Sequence, residues 1–438
     1  MFNRKIENYI ENYLKGDSEC ILCIDGARQI GKSYIIRYEC QKHYKNYVEI
    51  NMIDDFNGAK LFADVKNTDE FYLQLSAIHG NKLHNRNDTI VFIDEIQIYP
   101  HLITMLKALR YDNRYRYICS GSLLGIALKK TVSIPMGSII EKEMYPMDFE
   151  EFLWATGAGA DYINYLKDCF KNKKELSDSL HKKTLELFKT YLYVGGLPDA
   201  VKAYVETKNV YNIRKIQNDT YKYYSDDASK YDKDNNLKIR RIYEYVPSNI
   251  KNKVKRIQFS KIEDNKNSKF KKYENEFDYL IYSGIVLDVK VISDPKFPLI
   301  QSSQKNLIKL YMNDVGIFTS ILYGSNINAI LKDESKINLG AVYETVVAQE
   351  LKAHGHKLFY YDRRKVGEVD YLIDDYDTLS VLPLEIKSGR SEYEFSALKK
   401  LMDIKDSNIK KGYVLSNKKE VREKDDIYYM PIYFIMFL

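Results

Sequence analysis

The stretch Cys20-Ile-Leu-Cys-Ile-Asp-Gly26-Ala-Arg-Gln-Ile-Gly31-Lys32-Ser33 decides how this chain is read. Its first six residues are mostly apolar and run into a glycine-bounded turn. That turn fits the spacing Gly-x-x-x-x-Gly-Lys-Ser without a mismatch. Gly26 and Gly31 allow the backbone of Ala27, Arg28, Gln29 and Ile30 to curl with its N–H groups pointing inward, as phosphate oxygens require. A helix expected from Lys32 to about Gln41 adds its positive end. Lys32 would place a charge on the β- and γ-phosphates of ATP, and the Ser33 hydroxyl would ligate Mg²⁺. The stretch predicts a nucleotide site between a strand and a helix.

Moving outward, Tyr47–Asn51 reads as a second strand, and residues 60–79 as a helix with Leu61, Phe62, Val65, Phe71, Leu75 and Ile78 on one face. Thr89-Ile-Val-Phe-Ile-Asp94-Glu95 has the apolar run of a central parallel strand that ends in two carboxylates, at the sheet edge where ligands bind. Asp94 would hold Mg²⁺ through water, and Glu95 would polarise the attacking water. A helix over Leu102–Leu109 leads to another strand ending at Ser120-Gly-Ser122, where Ser120 and Ser122 are the candidates for a γ-phosphate sensor. Arg110, Arg114 and Arg116 are candidate charge-stabilising fingers or a solvated face.

Composition narrows the class. The 438 residues, 45% hydrophobic and 29% charged, describe a globular chain rather than a disordered or fibrous one. Length alone suggests about three domains. The five cysteines form no disulfide framework, and Cys20-x-x-Cys23 lacks a second pair to complete a zinc tetrad, so both read as core positions of a strand. A reducing, cytoplasmic location is expected. Residues 1–14 read as an amphipathic helix, and Met430–Leu438 as a buried terminal strand too short to span a bilayer.

Gly26–Ser33, Phe92-Ile-Asp-Glu95, Ser120-Gly-Ser122, Tyr145-Pro-Met-Asp-Phe-Glu-Glu-Phe-Leu153, Gly195-Gly-Leu-Pro198 and Lys309-Leu-Tyr-Met-Asn-Asp-Val-Gly316 together resemble the AAA+ superfamily. The likeness is to its predicted bacterial and archaeal ATPases with a C-terminal nuclease-like domain. It implies an AAA+ core with a parallel sheet over 1–150 and a helical lid over 151–230. Many such proteins carry Gly-Arg shortly before the Tyr-Pro segment, and here the pair is Gly137-Ser138. A homo-oligomeric ring, which the resemblance also implies, loses a candidate finger at that place.

A polar stretch at Asp226–Asn236 marks the next boundary. Residues 238–272 then hold 12 Lys and Arg against three Asp and Glu, more than the whole-chain net charge of +6. The basic run, a helix over Tyr273–Tyr282 and the alternating Ile285–Ile292 have the outline of a winged helix over 231–325, a fold that docks on DNA phosphates.

In the remaining segment, 326–438, a helix over Ala341–Leu351 carries Glu344. Two strands follow, Gly367–Ile373 and Val381–Gly389. Strand period two puts Glu385 beside Lys387, with Ile386 toward the core, and Glu368 beside Asp370. Asp370, Glu385-Ile-Lys387 and Glu344 resemble the PD-(D/E)XK nucleases. The resemblance implies that Glu344, Asp370 and Glu385 bind Mg²⁺, and that Lys387 orients or deprotonates a water.

The expected fold is α/β: a P-loop AAA+ sheet, a helical lid, a winged helix and a restriction-endonuclease-like domain. The expected function is ATP hydrolysis coupled to DNA binding and to a nuclease-like domain, with Mg²⁺ as cofactor and no membrane partner. The alternative is a nucleotide-gated switch that binds DNA or protein through an inactive nuclease fold.

Overall fold

The computed structural model describes residues 2–125, 127, 137–231, 236–250, 256–259, 262, 270–332, 339–387, 396–405 and 407–438. These form two compact units, 3–145 with 282–284, and 146–281 with 285–438. Among the described residues no helix is long and apolar enough to cross a membrane.

The first unit is built on five strands: β1 (Ile21–Asp25), β2 (Asn46–Asn51), β3 (Thr89–Asp94), β4 (Arg116–Gly121) and β5 (Ile139–Glu143). Their order is β2-β3-β4-β1-β5, and every neighbouring pair is parallel. Parallel neighbours need crossovers. The helix Lys32–His43 carries the chain from β1 to β2, and Pro100–Asp112 from β3 to β4. Every residue of β3 and β4 is buried, as continuous apolar runs require of central strands. Cys23 and Cys119 face each other across β1 and β4, both fully buried and free.

Two local expectations change. The helix expected over 60–79 spans only Thr68–His79. The Asn67 side chain accepts from the Glu70 N–H at 2.9 Å and starts the helix there. Before it, the Asp55 carboxylate takes the N–H groups of Leu61 and Phe62, which holds that segment in a turn. The three arginines are engaged locally. Arg116 is buried, donating to the Tyr13 carbonyl and lying over the Tyr13 ring. Arg114 lies over the Tyr72 ring, and Arg110 pairs with Glu19.

The second unit opens with helices Phe149–Ala155, Ala160–Lys171, Asp178–Val194, Pro198–Thr207, Val210–Tyr231 and Asn236–Ile250. Helix Val210–Tyr231 ends inside the polar stretch 226–236 that marks the expected boundary, of which 232–235 lie outside the described residues. Part of the basic run, 251–255, 260–261 and 263–269, lies outside the described residues.

An eight-stranded sheet completes this unit, in the order β12-β13-β11-β10-β9-β8-β6-β7. Its strands are β6 (Val286–Ile292), β7 (Ser303–Met312), β8 (Phe359–Arg363), β9 (Gly367–Asp375), β10 (Ser380–Lys387), β11 (Gly412–Ser416), β12 (Arg422–Lys424) and β13 (Ile427–Pro431). β6, which covers most of the expected alternation at Ile285–Ile292, pairs antiparallel with β7. The free edge of β6 pairs in parallel with β8, so the sheet crosses the expected division at 325/326. An edge strand left open would expose a row of unpaired N–H and C=O groups, and pairing with β8 removes it. The C-terminal segment is strand only to Pro431, and Ile432–Phe437 is a buried 3₁₀ turn.

The sequence words that carried no chemistry turn out to hold this unit together. Asp314 starts helix Val315–Tyr323 by accepting from the Ile317 N–H, and its other oxygen takes the Gly196 N–H at 2.6 Å. Gly196 in turn accepts from the Met147 N–H, while Tyr191 and Gln349 both donate to the Met147 carbonyl. Burial pushes the Asp314 carboxyl up to about 6, against the pull of the N–H groups of Gly196 and Ile317.

Candidate functional site

The loop between β1 and helix Lys32–His43 has the geometry the sequence required. Gly31 sits in the left-handed region at φ 94°. At Gly26 a Cβ would stand 2.2 Å from the Met144 carbonyl oxygen, so only glycine fits. Lys32 is 5% exposed, and its Nζ donates to the carbonyls of Gly26 and Ala27 at 2.8 Å each. Its ammonium forms no ion pair with a carboxylate among the described residues. Burial pulls the Lys32 pKa down, and Glu95, Asp25 and Asp94 oppose that from a distance. Such an ammonium suits an anion, and the N-terminus of a 12-residue helix stands at the same place. Asp25, at the end of β1, is raised to about 6 chiefly by burial.

Asp94 is the hub of the polar groups at this sheet edge. Ser33 Oγ donates to Oδ1 at 3.0 Å, Ser120 Oγ to the same oxygen, and Asn51 Nδ2 to Oδ2 at 3.0 Å. Burial raises its pKa, while the Ser120 and Ser33 hydrogen bonds lower it. A carboxylate beside the loop serine is a donor set that fits a hard divalent cation.

Glu95 follows in left-handed backbone, φ 55°, which is uncommon for a residue with a side chain. Its Oε2 accepts from Ser122 Oγ at 3.2 Å and from Gln97 Nε2 at 2.5 Å. Arg28, from the phosphate loop, donates to Ser122 Oγ at 3.1 Å. The structure therefore gathers Lys32, Ser33, Asp94, Glu95, Ser120 and Ser122 at one edge. Sequence reasoning missed Asn51 and Gln97. Their signals were position alone: Asn51 ends the strand beside β3, and Gln97 stands two residues after Glu95.

Residues 18–153 match the AAA domain family. The rest matches two domains of unknown function, over 185–328 and 339–435. An uncharacterized protein of Haemophilus influenzae is 24% identical over 205 residues, covering 45% of this chain and 44% of that protein. The chain thus spans less than half the length of this curated relative. A Walker-type ATPase of Pyrococcus abyssi is 15% identical over 76% of this chain and 96% of its own, with a TM-score of 0.37. Hsp104, in a closed state with ATPγS and casein, is 15% identical over 57% of this chain and 50% of its own, at TM-score 0.29.

The C-terminal candidates lie on β9, β10 and helix Gly340–Ala353. Glu385 and Lys387 meet, as period two requires, at 2.6 Å. Asp370 Oδ2 accepts from the Ile386 N–H at 2.9 Å, tying β9 to β10. Glu344 is held by the Tyr311 hydroxyl at 3.0 Å. β9 pairs regularly with β8 from Gly367 to Val369, and its one extra residue falls between Val369 and Leu372, past Glu368. Glu368 pairs with Lys309, whose buried ammonium also lies over the Tyr360 ring.

No group of three or more His, Cys, Asp or Glu side chains stands in a metal-holding arrangement among the described residues. Glu385 feels the charges of Asp370 and Glu344, while Tyr311 donates to Glu344 and Lys387 pairs with Glu385. One feature still fits a cation. Glu385 Oε2 is buried without a hydrogen-bond partner among the described residues. Burial, then repulsion from Asp370, pushes the Glu385 carboxyl up to about 8.

Proposed function

We propose that this chain hydrolyses ATP at the β1–β4 sheet edge and couples that cycle to DNA through its C-terminal unit. The observation that carries the first half is Lys32, a buried ammonium bonded only to carbonyls, at a helix N-terminus. In this reading the loop from Gly26 to Ser33 binds the phosphates, and Ser33 and Asp94 hold Mg²⁺. Bound Mg²⁺ supplies positive charge against the phosphate oxygens. Glu95 takes a proton from the attacking water, and Ser120 and Ser122 contact the γ-phosphate. DNA contact is assigned to the basic residues 238–272, and a homo-oligomer belongs to the same reading.

For the C-terminal site, metal-dependent cleavage through Asp370, Glu385 and Lys387 is supported by the orphan oxygen of Glu385. A second reading, a nucleotide-gated binding switch with an inactive nuclease fold, is favoured by the engagement of Glu344 and Glu385 elsewhere. Phosphate release and DNA nicking by the purified chain, in Mg²⁺ or Mn²⁺, test both. DNA-stimulated hydrolysis with metal-dependent nicking supports the first reading. ATP-dependent capture of DNA without nicking supports the second, and a chain that binds no ATP overturns both.

A further inference from the structure

Glu95 is held by one oxygen only. Its Oε2 accepts from Gln97 Nε2 at 2.5 Å and from Ser122 Oγ at 3.2 Å, while Oε1 accepts from neither. Gln97 reaches it because of the local backbone. Glu95 is left-handed, and the 3₁₀ turn Ile96–Ile98 brings residue 97 back beside residue 95. The orientation of the amide follows from the charge it faces, since a carbonyl oxygen placed against a carboxylate would be repelled. The seat of the amide is also shaped by the sequence. A Cβ at Gly121 would stand 2.5 Å from Gln97 Oε1, so the glycine between Ser120 and Ser122 makes room for it. Gln97 Oε1 itself is buried with no partner among the described residues.

The two donors on Oε2 differ in what else they face. Ser122 also accepts from Arg28 of the phosphate loop, so its hydroxyl is poised to respond to nucleotide. Among the described residues Gln97 makes no bond to the loop, and it also donates to Ser122 at 3.3 Å. We propose that Gln97 is the positioning residue for Glu95, clamping Oε2 so that Oε1 faces the attacking water whichever way Ser122 turns. This rests on the ATP-hydrolysis reading above. In the step it serves, the water proton passes to Glu95 Oε1 as the oxygen bonds the γ-phosphorus. The bond from that phosphorus to the β–γ bridging oxygen breaks, and ADP leaves with its electron pair.

The test compares Gln97→Met, which keeps the bulk and loses the donor, with wild type in steady-state ATP hydrolysis and in titration with a fluorescent ATP analogue. The expected result is a kcat lower by roughly 10- to 100-fold, the scale of a lost charge-assisted hydrogen bond, with KM and analogue affinity unchanged. In a Glu95→Gln background the same substitution should lower kcat no further, because it acts through Glu95. A merely structural role would lower affinity in step with kcat, or slow the Glu95→Gln protein as well, and either result overturns the proposal. Wild type and Gln97→Met turning over alike overturns it while leaving the ATPase reading intact. A wild type that binds the analogue but never releases phosphate overturns both.

Discussion

Replacing Lys32 by Met should stabilise the first unit without ligand and abolish its response to ATP. The two effects have one cause. The ammonium is 5% exposed, bonds two carbonyls, and has its pKa pulled down by burial. A lysine whose folded pKa lies below its unfolded value costs stability at every pH where it is protonated when unfolded, and that cost fades as pH rises through the folded pKa. Methionine keeps the apolar stem and removes the cost, so the melting temperature without ligand should rise at pH 7. With wild type, ATP and Mg²⁺ at about 100 times Kd should add about 2.7 kcal/mol. For a unit spanning 3–145 this is a shift of roughly 5–10 °C. The Met variant should show none of it. Differential scanning calorimetry with and without ATP reads both arms. A Met variant that melts lower than wild type without ligand would refute the account of the buried charge, and a retained ATP shift would refute the assignment of Lys32 to the phosphates.

Three further outcomes are expected. Replacing Lys251, Lys253, Lys255 and Arg256 together by Gln should weaken DNA binding and flatten its dependence on salt, read by fluorescence anisotropy across a salt series. Calorimetric titration with Mn²⁺ should show binding that Asp370→Ala and Glu385→Ala each weaken and that Lys387→Ala spares, because an ammonium is not a metal ligand; equal heats in all four proteins would remove the metal from this site. In the second unit, Asp314 has its folded pKa raised from 3.8 to about 6, so its contribution is full below pH 4 and is lost as pH rises to about 6. The loss is at most about 3 kcal/mol, and urea unfolding should show a slope between pH 4 and 6 that is smaller in Asp314→Asn.

The phosphate loop and the strand ending in Asp94 and Glu95 were legible because their chemistry is local: a fixed spacing, a strand before and a helix after. What surrounds them was not. Asn51 reaches Asp94 from 43 residues away because β2 pairs with β3, and no periodicity announces a pairing register. Gln97 is near Glu95 in sequence, yet its role depends on a left-handed residue and a 3₁₀ turn that propensity does not specify. In the second unit, Glu385 beside Lys387 followed from period two, whereas the extra residue on β9 between Val369 and Leu372 had no signal in the alternation. The alternation over Ile285–Ile292 was readable as one strand, but its parallel pairing with β8 joins residues about 70 apart along the chain.

The two candidate sites differ in the sign of the charge their folds leave uncompensated, and that difference constrains what each can bind. Among the described residues Lys32 has carbonyl partners but no contacting carboxylate, so an anion would answer its field, and more strongly as the site is desolvated. Among the described residues Glu385 has the Lys387 ammonium on Oε1 and no hydrogen-bond partner on Oε2, so one unit of positive charge already stands at that carboxylate. A cation arriving on Oε2 must therefore bind beside Lys387 rather than in place of it, with Asp370 supplying the second negative charge that makes a divalent ion favourable. Asp370 Oδ2 is committed to the Ile386 N–H, which leaves Oδ1 as the oxygen that could reach an ion. An ion held at this pair would thus take one oxygen from each carboxylate and complete its shell with water, the coordination Mg²⁺ prefers when few protein ligands are present.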